Sequence, residues 1–201
     1  MSFNIAFVLF PDFEDLDFAG PFEVFGMTAK VLEKEWRAYT VGEQPVVQSA
    51  LGTKVQVDYT FADAPKADII VVPGGFGTGP GMENEALIDY IQRAGAGAEY
   101  VTSVCTGAFL LHKAGFLKDR RATTYWSMRD QLQELGDVTV VEERWVHDGN
   151  VITAAGVSAG IDMALYLIGV LRTPEFARNV QKLIEYDPAP PYADIPVSEA
   201  T

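Results

Sequence analysis

Three short runs, Asn4–Phe10, Asp68–Val72 and Tyr100–Val104, are dominated by apolar residues and stop abruptly at turns. A strand with one face in water alternates apolar and polar residues. An unbroken apolar run suits a strand covered on both faces, as in a parallel sheet. Parallel neighbours need a long crossover between them, most often a helix. Helical patterns occupy those intervals and the C-terminal part: about Asn84 to Ala94, Thr106–Ala114, Val157–Leu171 and Pro174–Tyr186. The expected fold is therefore α/β, a mostly parallel sheet with helices on both faces.

Smaller signals fill in the remainder. Gly20-Pro21 is expected to open the first helix, proline being suited to a first helical turn, with Asp17 just ahead of it. Arg37–Val41 and Val46–Val57 read as strands, the latter interrupted by a Ser49–Gly52 turn. Trp126–Leu135 reads as a helix, and Asp148-Gly149-Asn150 as a hairpin turn between Arg144–His147 and Val151–Ala154. No shift in composition divides the chain, so residues 1–201 are expected to form one domain, with 187–201 a proline-rich surface tail.

Composition narrows the partners. Hydrophobic residues make up 48% of the chain, enough for a sizeable core, and the formal net charge of −13 repels phosphate backbones and anionic lipid. Nucleic acid and membrane surfaces are thus not expected partners. The apolar stretch Val157–Leu171 is too short to span a bilayer and contains Asp162. The first strand carries no basic leader, and a lone cysteine rules out an intramolecular disulfide; a reducing cytoplasm is the expected setting.

That cysteine, Cys105, is the focus of the chemistry. A lone cysteine in an apolar run is commonly an inert core residue. Its context, VTSVCTGAFLL, argues otherwise, because a buried strand turns at once into a helix at this position. That is the arrangement of a nucleophile elbow. The helix amides beyond it are expected to lower the thiol pKa and favour thiolate. His112, two turns along the same helix, and His147, beside the hairpin, read as ordinary surface residues, which leaves a carboxylate as proton partner. Asp17, flanked by Leu16 and Phe18, fits either as a solvated helix cap or as a carboxyl facing the sulfur. In the second arrangement the two groups share one proton, and Asp17 titrates upward and serves as general acid/base.

Loops at the carboxyl ends of parallel strands form the usual ligand site, which brings Asp12–Asp17, the PGGFGTGPG loop (Pro73–Gly81) and Cys105-Thr106 together. The glycine loop lacks both G-x-G-x-x-G and GK[ST], so it is not read as a nucleotide cradle. The amides of Gly74-Gly75 and of Thr106 are instead expected to hold developing negative charge. Gly74, Phe76, Tyr125 and Trp126 are candidate pocket walls. No metal-ligand spacing appears, and no metal or cofactor is expected.

LFPDFEDLDFAGP, VVPGG, VTSVCTGAFLL, RRATTYW, GNVITAAGVSAGIDMAL and EYDPAPPY together resemble the ThiJ/PfpI superfamily of class I glutamine-amidotransferase-like domains. Within it they are most similar to the isocyanide hydratases, and the resemblance runs from Asn4 to about Tyr192. It implies a flavodoxin-like sandwich, a homodimer, Cys105 as nucleophile, Asp17 as acid/base, Thr106 as its assistant, and the Gly75 and Thr106 amides as an anion pocket. The implied activity is cofactor-independent hydration of a small hydrophobic isocyanide to an N-substituted formamide through a cysteine thioimidate. Tyr125 stands where hydratases of this group carry histidine, and Thr106 stands where protease-like members carry histidine. Glyoxalase-like members carry glutamate in place of Asp17. The alternatives are a ligand- or redox-sensing domain and glyoxalase-like chemistry on small reactive carbonyls.

Overall fold

A computed structural model describes residues 2–188. Along the chain the elements are β1 (Asn4–Leu9), α1 (Asp15–Met27), β2 (Arg37–Gly42), β3 (Val46–Gln48), β4 (Lys54–Gln56), β5 (Tyr59–Thr60), β6 (Ile69–Val72), α2 (Thr78–Met82), α3 (Glu85–Ala96) and β7 (Tyr100–Val104). There follow α4 (Gly107–Lys113), β8 (Arg120–Ala122), α5 (Arg129–Glu134), β9 (Val138–Val140), β10 (Trp145–Asp148), β11 (Val151–Ala154), α6 (Ala159–Leu171) and α7 (Pro174–Leu183).

The main sheet has seven strands in the order β10-β11-β7-β6-β1-β2-β5. All neighbours are parallel except the β10–β11 hairpin. From β1 the chain first goes to β2 on one side and then to β6 on the other. The crevice between the carboxyl ends of β1 and β6 is thus the switch point where such sheets bind ligands.

The unbroken apolar runs divide between the faces with period 2. Ile5 and Phe7 of β1, with Ile69 and Val71 of β6, pack toward Val24 and Phe25 of α1 and Met163 and Leu167 of α6. Ala6 and Val8, with Ile70 and Val72, pack toward Leu87 and Ile91 of α3 and Leu110 of α4. A one-residue slip in either strand would exchange its two faces, and both faces are already filled, so the register is fixed by packing.

The first helix departs from expectation. It begins at Asp15, and Pro21 lies inside it. Pro21 supplies no amide to the helix ladder, a local penalty that tertiary packing offsets. Gly20 lets α1 press onto α6, since a Cβ there would lie 2.9 Å from Ile161 Cγ1, and Pro21 Cδ packs beside Gly160. Asp17 therefore occupies the first turn of the helix rather than the approach to it. Three further differences are local. The glycine loop contains the short helix α2, the 126–135 segment divides into a 3-10 turn at Trp126–Met128 followed by α5, and β8 with β9 forms a small parallel pair that the sequence did not signal. Residues 189–201, most of the expected surface tail, lie outside the described residues.

Candidate active site

The site is assembled from three strand ends. Cys105 follows β7 directly and has φ 58°, the left-handed conformation that few side-chain-bearing residues adopt. Its amide still donates to Ala154 O of β11 at 3.0 Å, while its carbonyl accepts from the buried Thr124 hydroxyl at 2.8 Å. The chain is thus clamped on both sides of the turn, and α4 departs at Gly107. The cysteine is 7% exposed and contributes to the wall of a cavity of about 600 Å³. It is therefore neither sealed in the core nor open to bulk water.

Asp17 reaches the same point from α1. It is fully buried, at 0% exposure, and Oδ2 accepts the Gly74 amide at 2.9 Å. Oδ1 has no conventional hydrogen-bond partner, and the carboxyl's remaining interaction is with the Cys105 thiol. Burial, opposed by the Gly74 amide and reinforced by the nearby Glu14 charge, pushes Asp17 from 3.8 up to about 7. The upward titration expected of Asp17 is what this environment produces.

The thiol moves against expectation. Burial first, and the Asp17 charge second, push Cys105 up to about 12, while the Thr106 and Val157 amides and the Thr106 hydroxyl pull it down. Removing the sulfur from water outweighs the few amides at the start of α4. Titrations at about 7 and about 12 belong to the pair together. Between them the two groups hold one proton, written either as thiol with carboxylate or as thiolate with carboxylic acid.

The glycine loop does something different from the expected anion pocket. The Gly74 amide is engaged by Asp17, and the Gly75 amide donates to Thr106 Oγ1 at 3.0 Å. The amides that face the sulfur are those of Thr106 and Val157. Val157 was missed at the sequence level, where it reads only as the start of a helix. Its φ of 40° is unusual for a β-branched residue. Gly75 has φ 131°, and a Cβ on it would lie 2.4 Å from Asp12 O; one on Gly77 would lie 1.8 Å from Pro11 O. The loops after β1 and β6 therefore touch backbone to backbone.

The cavity wall includes Phe76, Met82, Phe109, Tyr125, Met128 and Val157, with Glu14 as its charged member. Among the described residues no Lys, Arg or His lines it. Phe76 is 85% exposed and stands at the rim, and the Tyr125 ring packs where a Gly156 Cβ would sit. Gly74 lies behind the wall rather than in it, and Trp126, 68% exposed, lies against Tyr125 outside the cavity. A β8–α5 connection that turns at Tyr125 presents only the first of these two aromatics inward. Both histidines are engaged elsewhere, His112 with Gly136 O and His147 with the Tyr166 hydroxyl. No cluster of three metal-ligating side chains occurs among the described residues, and no helix among them is long and apolar enough to cross a membrane.

A flavodoxin-like parallel sheet carrying a left-handed cysteine at a strand-to-helix elbow defines a class: α/β domains with a candidate cysteine nucleophile at the carboxyl edge of the sheet. The chain belongs to the DJ-1/PfpI family, whose model matches residues 3–169. It is 43% identical to the isonitrile hydratase of Pseudomonas putida over 193 residues, covering 96% of this chain and 82% of that protein. It is 29% identical to the HTH-type transcriptional regulator CdhR of Pseudomonas aeruginosa, covering 90% of this chain but 54% of the regulator. Among solved structures, a ThiJ/PfpI family protein from Pseudomonas syringae superposes with a TM-score of 0.88 at 34% identity, covering 96% of this chain and 78% of that one.

Proposed function

We propose that this chain, acting as one domain, hydrates small hydrophobic isocyanides to N-substituted formamides. The carrying observation is a fully buried Asp17 carboxyl beside Cys105 at the edge of an apolar cavity, an arrangement in which the two groups share one proton. The similarity to the Pseudomonas putida isonitrile hydratase supplies the substrate class.

In the thiolate form of the pair, sulfur attacks the terminal carbon of R–N≡C. The Asp17 proton passes to that same carbon, giving the thioimidate R–N=CH–S–Cys and leaving Asp17 as carboxylate. Asp17 then takes a proton from water as the hydroxyl adds to the carbon. Asp17 returns that proton to nitrogen, and as the hydroxyl proton passes back to Asp17 the intermediate collapses, expelling the thiolate and releasing R–NH–CHO. Net, one water is added, and no oxidant, metal or nucleotide enters the balance. The Thr106 and Val157 amides stabilise the sulfur while it is anionic. Phe76 and Tyr125 hold the R group, and its exclusion of water strengthens each of these interactions. Glu14 in the cavity and the carboxyl at position 17 disfavour anionic carbonyl substrates, which weighs against glyoxalase-like chemistry on acids. The same reading carries a cytoplasmic homodimer, a state that sedimentation measures directly.

Intact-protein mass spectrometry during incubation with an aromatic isocyanide tests the proposal. An adduct equal to the mass of the isocyanide, absent in Cys105→Ala, together with the formamide product is expected. A wild-type protein that forms neither adduct nor formamide refutes the assignment and returns attention to sensing, since the regulator CdhR shares this domain's similarity.

A further inference from the structure

Thr78, at the first position of α2, was not singled out by any sequence pattern. It is 5% exposed, lines the cavity, and its hydroxyl lies 2.8 Å from that of Thr106. Either hydroxyl can donate, and a count of hydrogens and lone pairs narrows the choice. A threonine hydroxyl has one hydrogen and two lone pairs. Thr106 Oγ1 accepts from the Gly75 amide at 3.0 Å, a group that only donates. The Thr106 hydroxyl is also among the groups that pull the Cys105 thiol down, which it does with its hydrogen toward sulfur. With its hydrogen directed at sulfur, Thr106 has one lone pair left, and the neighbour placed to fill it is Thr78. The competing acceptor for the Thr106 hydrogen is Gly75 O, at a long 3.4 Å.

We propose that Thr78 is a positioning residue whose hydroxyl donates to Thr106 and thereby holds the Thr106 hydrogen on the Cys105 sulfur. Two of the three directions around Thr106 Oγ1 are closed by donors, the Gly75 amide and Thr78, and the sulfur takes the third. Donation in sequence also polarises each hydroxyl for the next, so the chain Thr78 to Thr106 to Cys105 favours the anionic sulfur. Without Thr78 the Thr106 hydroxyl is free to rotate toward the vacated direction or toward Gly75 O. The titratable groups facing this chain are Asp17 from α1, Glu14 just before it and Tyr125 from the β8–α5 connection. Thr78 acts on the balance between the two forms of the Cys105–Asp17 pair and leaves the number of protons unchanged.

This inference rests on Cys105 as the reactive thiol and is independent of the substrate. Cys105 is the single cysteine in the chain, so iodoacetamide alkylation reports on it alone. Wild-type alkylation is expected to rise as the pair loses its first proton and then level off. Thr78→Val is expected to lower the plateau about three- to tenfold, the loss of one hydrogen bond's ordering, while the midpoint stays in place. Thr78→Ser is expected to restore the plateau. Thr106→Val is expected to lower it as well, and the double variant to fall little further, because both substitutions break one chain. Where Thr78→Val fails to fold, Thr78→Ala against Thr78→Ser makes the same comparison. A Thr78→Val plateau equal to wild type, a Thr78→Ser variant as slow as the valine, or multiplied losses in the double variant would each overturn the inference. A protein inert toward isocyanides that still shows the Thr78 effect separates the failure of the proposed reaction from the failure of this inference.

Discussion

Replacing Asp17 by asparagine should shift stability in favour of the variant as pH rises. Asp17 keeps its proton in the folded state up to about 7 because it is buried, whereas an unfolded chain releases it near 3.8. Below 3.8 both states are protonated, and the carboxyl does not discriminate between them. From there to about 7 the unfolded state gives up its proton and the folded state does not, so folding stability declines; above about 7 the deficit is constant. At about 1.4 kcal/mol per pH unit the whole interval corresponds to about 4 kcal/mol. Asparagine does not titrate, and its carbonyl oxygen is placed to accept the Gly74 amide as Asp17 Oδ2 does. Between about pH 5.5 and about pH 8, the advantage of Asp17→Asn over wild type should therefore grow by about 2 kcal/mol. For a chain of this length that is about 4–8 °C in Tm. Thermal unfolding followed by circular dichroism at the two pH values measures it. A constant difference between the proteins across that range would refute the burial argument, and with it the shared proton on which the chemistry depends.

Other outcomes follow from the same geometry. Cys105→Ser should retain the fold and lose isocyanide adducts entirely, as read by intact mass, because a serine hydroxyl beside a buried carboxyl has no accessible anionic form. Gly77→Ala should lower stability by about 3 kcal/mol in chemical denaturation, since its Cβ would fall 1.8 Å from Pro11 O, where only backbone can move aside. Met82→Ala should raise KM for bulky aromatic isocyanides about three- to tenfold with little change in kcat, the signature of a wall that binds ground and transition states alike. An isocyanide bearing a carboxylate should be a poorer substrate than its methyl ester, and Glu14→Gln should narrow that gap in kcat/KM.

Much of this arrangement is legible in the chain because both-face burial leaves a plain mark. The runs at Ile5–Leu9 and Ile69–Val72, short and cut off at turns, read as covered strands, and a glycine two residues after Cys105 announces the elbow. Asp17 is legible only in part: its place between Leu16 and Phe18 fits a solvated cap as well as a carboxyl facing the sulfur, and packing decides between them. What escaped is set by contacts distant in sequence. Pro21 inside α1 is tolerated because Gly20 and Gly160 let two helices close on each other, which no local pattern encodes. The direction of the Cys105 titration was misread because a helix start is visible in sequence, whereas the depth at which the sulfur sits is not. Val157 and Thr78 leave no signal of their own. One acts through a strained amide and the other through a neighbour's hydroxyl, and both become evident only when three loops are brought together.

The backbone contact between the loops after β1 and β6 divides the site into two kinds of ground. At Gly75 and Gly77 no side chain has anywhere to stand, so the floor beneath the sulfur and the carboxyl is closed to variation by substitution. Phe76, Met82, Tyr125 and Met128 line the cavity itself and meet no such obstacle. New substrate preferences are therefore reached by rebuilding the walls, while the reacting pair is inherited with the foundation it stands on.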